Sequence, residues 1–196
     1  MDVALDDQIN DKAEIRKKTA KPLLWIGMVS ITMMFAGLTS AVVVSSGSEA
    51  WSGQTVPGHF LYSTFVIVVS SFSFVWAIKG AKSNRQQQLK LGLYVTAFLG
   101  LTFGLLQFLA WSEMYENGVF FTGSNSNVAG SYLYILSGLH LAHLIGGLIS
   151  LAVVVFNANR GLYGSNNLLG LQLSSTYWHF LDGLWIYLFL FLNYIN

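Results

Sequence analysis

Five stretches of this chain, at about residues 23–44, 59–78, 91–112, 130–156 and 173–195, contain no lysine or arginine. Each is long enough to cross a bilayer as a helix, which takes roughly 20 apolar residues. None shows the two-residue alternation of a membrane β-strand, so a β-barrel is excluded. Charged residues make up 10% of the chain, against about 25% in soluble domains. The expected fold is therefore all-α, a polytopic bundle of five transmembrane helices. Residues 1–21 are read as a polar cytoplasmic tail and 22–196 as one five-helix transmembrane domain. The first apolar run is too long for a signal peptide, and Asp2, Asp6, Asp7 and Asp11 spoil a basic leader, so it is read as a retained helix.

The basic residues set an orientation. Lys12, Arg16, Lys17, Lys18 and Lys21 precede the first run. Lys79, Lys82, Arg85 and Lys90 separate the second from the third, and Arg160 separates the fourth from the fifth. All ten fall on one side if the runs alternate in direction, while Glu49, Glu113 and Glu116 fall on the other. The positive-inside rule then puts the N-terminus in the cytoplasm and the C-terminus in the periplasm. Trp25, Trp51, Trp111, Tyr115 and Tyr194 sit near run ends, where aromatic belts lie.

Small residues predict where helices approach closely. Gly138, Ala142, Gly146 and Ser150 recur every four residues along the fourth run, and Gly100 and Gly104 form a GxxxG pair in the third.

Ionisable residues inside such runs are costly and need partners. His140 and His143 are three apart on the fourth run; His179 and Asp182 are three apart on the fifth. At about 1.5 Å per residue, His143 lies roughly 20 Å below the outer surface and Asp182 about 13 Å above the inner one. In a core about 30 Å thick these depths are similar. A His/His/His/Asp cluster is thus available in three roles: a structural network pinning the last two helices, a proton-handling site, or a zinc, iron, copper or haem site. His59 is read as interfacial. Glu113 is read as a solvated helix exit or a carboxylate against another subunit. Cysteine is absent, which removes thiolate metal sites and a Cys nucleophile. No nucleotide loop, Ser/His/Asp triad or nucleic-acid surface is visible.

Three segments carry a resemblance. Tyr177-Trp178-His179-Phe180-Leu181-Asp182-Gly183-Leu184-Trp185 closely resembles the YWHFVDVVW-type signature in the last helix of subunit III of haem-copper respiratory oxidases. Gly138-Leu139-His140-Leu141-Ala142-His143-Leu144-Ile145-Gly146-Gly147 is similar to that family's GxHGLHVxxG segment. Leu106 to Tyr115, with Gln107 and Glu113, is similar to its LLQxxEYY region, and weaker similarity runs from Ser70 to Ala77. Short bacterial members have five helices, with the orientation read above from the charges.

The resemblance implies a cofactor-free subunit in the bacterial inner membrane. Haem and copper would belong to subunit I, electron entry to subunit II. This chain would pack on subunit I, hold structural phospholipids and support proton uptake and the lifetime of the complex. Subunit IV or a respiratory supercomplex are further implied partners. His140, His143, His179 and Asp182 would brace the interior. Trp178 and Trp185, together with Gln107 and Glu113, would contact lipid or another subunit. The sequence also departs from the family. Ser30-Ile31-Thr32-Met33-Met34 holds no acid where many members bury a glutamate, and Trp76-Ala77-Ile78-Lys79 lacks the histidine pair of mitochondrial forms. Gly183 replaces a branched residue. Subunit III of a quinol oxidase and the five-helix partner of nitric oxide reductase are neighbouring readings, with Tyr177 and the Gln107–Glu113 spacing favouring cytochrome c oxidase. An independent metal or haem enzyme, and a channel or transporter, are the readings from other classes.

Overall fold

A computed structural model of the chain describes residues 2–48, 51, 53, 56–123, 127–164 and 167–195, with only the backbone of residues 2–17. Glu49 and the side chains of Lys12, Arg16 and Lys17, used above for orientation, lie outside the described residues. Five helices form in order: α1 Asp2–Ser46, α2 Gly58–Lys82, α3 Gln86–Glu116, α4 Val128–Asn159 and α5 Leu169–Ile195. Among the described residues there is no strand, only an isolated bridge between Gly164 and Asn167. The portions Lys18–Ser46, Gly58–Lys82, Gln86–Glu116 and Val128–Asn159 are long and apolar enough to cross a membrane. α5 has the length, at 27 residues, but Gln172, His179, Asp182 and Asn193 dilute its apolar content.

The helices extend past the apolar runs because their polar flanks also favour helix. α1 is helical from Asp2, so the polar tail runs directly into the first apolar run, with Pro22 at the junction. Lys79 and Lys82 occupy the last turn of α2, where cations meet the negative end of the helix dipole. α4 begins at Val128 because the Asn127 side chain accepts the Gly130 N–H at 3.2 Å, satisfying one donor of the open first turn.

Four helices close a ring. α2 packs on α3, α3 on α4, α4 on α5, and α5 returns to α2; α1 lies outside, against α4 and α5. The α2–α3 hairpin turns in three residues, Ser83 to Arg85, with Asn84 at φ 54° and the Arg85 N–H donating to the Gly80 carbonyl at 2.9 Å. Its legs touch backbone to backbone. A Cβ on Gly92 would fall 2.7 Å from Ala77 Cβ, and one on Gly80 2.9 Å from Leu89 N. Inside the ring, Phe60, Phe74, Phe103, Trp178 and Trp185 are fully buried, while Leu61, Phe65, Phe72, Phe98 and Leu105 point outward.

The small-residue stripe on α4 is not one packed seam. Ala142 and Gly146 are exposed, and Gly138 and Ser150 are half-buried. A four-residue repeat turns about 40° per step on a helix of 3.6 residues per turn, so the stripe winds off the contact face. The buried line is instead His140, Leu144, Gly147, Leu151 and Val154. On α3, Gly100 is enclosed and Gly104 is half-buried.

Candidate functional site

The polar side chains of α5 meet α2. Ser71 on α2 places its hydroxyl 2.5 Å from Asp182 Oδ2, to which it donates. The Ser71 oxygen also lies 2.6 Å from His179 Nδ1. The i, i+3 spacing puts His179 and Asp182 on one face of α5, and Ser71 bridges them from across the interface. Asp182 is buried, and its Oδ1 has no hydrogen-bond partner among the described residues. All ten lysines and arginines lie outside the five apolar runs, so hydrogen bonding rather than ion pairing holds this carboxyl.

The indoles flanking this pair bond to the same neighbour. Trp178 Nε1 donates to Ser70 Oγ at 3.0 Å, and Trp185 Nε1 to Thr64 Oγ1 at 3.0 Å. The Trp178 ring fills the space left by Gly100, where a Cβ would fall 2.6 Å from Cη2. Trp185 lies edge-on to Phe60 and Phe103, with ring centroids 5.3 and 5.1 Å apart.

The two histidines of α4 go elsewhere. His140 is fully enclosed, 5.0 Å from the Trp185 ring and 5.8 Å from Phe103, and neither of its ring nitrogens has a partner among the described residues. His143 Nδ1 lies 2.7 Å from the Leu139 carbonyl, and its ring meets Phe35 of α1 at 5.8 Å. The structure thus joins His179 with Asp182 and leaves His140 and His143 in separate surroundings. Among the described residues no three His, Asp or Glu side chains gather as metal ligands would.

The expected outward role of three residues is corrected. Trp178, Trp185 and Gln107 are each 0% exposed, so they are enclosed by this chain's own helices and reach neither lipid nor a partner. Gln107 Nε2 donates instead to Ser63 Oγ at 3.3 Å. The reason is geometric: the seven-residue spacing of the tryptophans does put them on one face of α5, but that face is the one turned to α2 and α3. Glu113 stays at the bundle end, a third exposed, with Oε2 2.5 Å from His59 Nδ1, itself 39% exposed. Gly58 N–H also reaches Glu113 Oε1 at 3.4 Å.

Ser71 carries no ionisable group and does not stand out in the sequence as a partner for His179 and Asp182. The available signal was the run Ser70-Ser71-Phe72-Ser73, dense in hydroxyls for a membrane helix. Serines there usually bond back along their own helix, as Ser70 does to the Ile67 carbonyl at 2.8 Å. Ser71 instead reaches across.

Fold and site together define a multi-pass membrane bundle whose interior polar groups bond helix to helix. A family model for cytochrome c oxidase subunit III matches residues 28–196. The chain belongs to the cytochrome c oxidase subunit III family. It is 29% identical over 130 residues to cytochrome c oxidase subunit 3 of Spodoptera frugiperda, covering 66% of this chain and 84% of that protein. It is 25% identical over 171 residues to that of Thermostichus vulcanus, covering 85% and 82%. A probable cytochrome c oxidase subunit 3 of Rickettsia felis is 32% identical over 131 residues, 66% of this chain, which spans only 45% of that longer protein.

Proposed function

We propose that this chain is the non-catalytic subunit III of a bacterial cytochrome c oxidase, working in aerobic respiration from the inner membrane. In this reading it packs on subunit I, in a complex that also contains subunit II, holds phospholipid at that contact, and sustains proton uptake and the stability of the complex. Haem and copper reside in the partner subunits. The observation that carries the reading is the family match over residues 28–196. The interior agrees with a supporting role, because its tryptophans and its His179–Asp182 pair are spent on bonds between this chain's own helices.

The membrane arrangement belongs to the same proposal. All five helices span, residues 1–21 form a cytoplasmic tail, and 22–196 form one domain with its C-terminus in the periplasm. Support comes from Lys18, Lys21, Lys79, Lys82, Arg85, Lys90 and Arg160, which flank one set of helix ends. Because the chain has no cysteine, single substitutions Lys82→Cys and Asn117→Cys report sidedness directly. An impermeant maleimide added to intact spheroplasts should label only the second; labelling of the first alone reverses the orientation.

The decisive experiment for the function is affinity purification of the tagged chain in mild detergent, followed by optical spectroscopy and metal analysis. Haem- and copper-bearing subunits should co-purify, with cytochrome c as the electron donor they accept. Retention of haem or copper by this chain after the other subunits are stripped away would reverse the assignment. Asp182→Leu should lower the yield of assembled complex while turnover per haem stays near wild type. Full assembly with loss of proton pumping alone would make Asp182 a proton carrier rather than a brace.

A further inference from the structure

A cavity of about 480 Å³ opens between α1 and α5, lined by Thr32, Phe35, His179, Phe180, Gly183 and Tyr187 among others. That volume falls within the roughly 300–1,000 Å³ of small-molecule sites, which pair apolar walls with a few placed polar groups. The polar groups here can be assigned by counting protons. With the Asp182 carboxyl ionised, the Ser71 hydroxyl gives its one proton to Oδ2. The short contact from Ser71 Oγ to His179 Nδ1 therefore needs its proton from the ring, and a neutral imidazole protonated at Nδ1 presents Nε2 as an acceptor. Thr39 Oγ1 gives its proton to the Phe35 carbonyl at 3.0 Å, so the 3.2 Å contact with Tyr187 is donated by the tyrosine. Thr32 Oγ1 gives its proton to the Met28 carbonyl at 2.9 Å. Each polar side chain on the wall has its proton committed elsewhere and offers the cavity only lone pairs.

We propose that this cavity binds a membrane-soluble aromatic alcohol of the hydroquinone type, its hydroxyl donating to His179 Nε2 and its ring lying among Phe35, Phe180 and Tyr187. An acyl chain would satisfy the walls and leave the acceptors unmet. A quinone or an ester carbonyl would set acceptor against acceptor. A hydroxylated ring matches both the apolar walls and the direction of the hydrogen bonds. Gly183 keeps the space open: a Cβ built there meets nothing within 4 Å. Binding of this kind is independent of the respiratory role proposed above.

The test uses the full chain in lipid nanodiscs, under anaerobic reducing conditions, with a radiolabelled decyl-hydroquinone and its dimethyl ether as the probe pair. Saturable binding of the hydroquinone is expected, with the ether about tenfold weaker, the ratio one net hydrogen bond supplies. His179→Phe should erase the difference between the two probes, and Gly183→Leu, which fills the cavity and leaves the imidazole in the sequence, should abolish saturable binding of both. Nitrogen-15 NMR of the unliganded chain should find the His179 proton on Nδ1. Equal affinity for hydroquinone and ether, insensitivity to Gly183→Leu, or a proton on Nε2 would each overturn the proposal.

Discussion

Gly100 and Gly104 look interchangeable as a GxxxG pair, yet their surroundings differ, and replacing each by alanine separates them. A Cβ on Gly100 would sit 2.6 Å from Trp178 Cη2, 3.0 Å from Cζ2 and 3.1 Å from Leu148 Cδ2. The indole cannot swing aside cheaply, because its Nε1–H is tied to Ser70 at 3.0 Å and its ring is fully buried. Forcing a methyl into a packed interior costs about 1–3 kcal/mol. The helix-propensity gain of alanine over glycine, about 1 kcal/mol in water, shrinks in lipid, where the segment stays helical in either state. Gly100→Ala should therefore lower the unfolding midpoint by roughly 2–12 °C for a chain of this size. A Cβ on Gly104 would meet only Leu141 Cδ1 at 3.9 Å, ordinary contact, and Gly104→Ala should stay within about 0.5 kcal/mol of wild type. The assay is tryptophan-fluorescence thermal unfolding in one detergent at one scan rate, since membrane-protein unfolding is often irreversible. Adding Trp178→Phe to Gly100→Ala should cost less than the sum of the single changes, because the clashing indole atoms are gone. Equal midpoints for the two alanine variants, or strict additivity in the double variant, would refute this account of α3 packing.

Three further outcomes follow from the same contacts. His140→Leu should leave thermal stability unchanged or raise it, since both ring nitrogens lack a partner among the described residues and replacing an unsatisfied buried polar group by an apolar one of similar size removes a penalty; a fall of more than a few degrees would show that His140 holds a bond. Trp185→Phe deletes the donor to Thr64 while keeping an aromatic ring near Phe60, Phe103 and His140, so it should cost about 1 kcal/mol, well short of the roughly 3–5 kcal/mol for Trp185→Ala; the two unfolding midpoints decide it. Glu113→Gln breaks a pair whose partners are 33% and 39% exposed, so its effect should stay below about 1 kcal/mol and shrink as salt is raised, measured as the midpoint difference at two ionic strengths.

What the sequence made legible was whatever depends on composition along one helix. The five runs became five helices because a helix satisfies its backbone hydrogen bonds within its own segment, whatever surrounds it. The pairing of His179 with Asp182 followed from i, i+3 spacing. Rotation about each helix axis was not legible, because apolar residues occur on every side of a membrane helix. Hence the outward reading of Trp178 and Trp185 and the misaligned stripe on α4, where Gly147, not Gly146, faces the α5 side chains Leu181 and Trp178. Ser71 was missed for a related reason: a hydroxyl's partner depends on which helix stands opposite, and this is set only when the ring α2–α3–α4–α5 closes.

That ring also answers why α5 keeps an aspartate. Its contacts on α2 are Asp182 and His179 to Ser71, Trp178 to Ser70, and Trp185 to Thr64. Residues 178, 182 and 185 are four and three apart, so they form one line down the face of α5. Each such bond in a membrane interior is worth only about 0.6 kcal/mol on average, too little to explain the residues by stability alone. What they add is register. Sliding α5 along α2 by one turn, about 5.4 Å, would leave apolar contacts nearly as good, since the buried residues include Phe60, Ile67 and Phe74 on α2 and Leu181, Leu184 and Leu188 on α5. It would break every polar contact at once and leave a carboxyl and two indole N–H groups unmet in a buried interface where water cannot replace the lost partners. The aspartate makes the wrong alignments costly, and the penalty acts where hydrophobicity cannot discriminate.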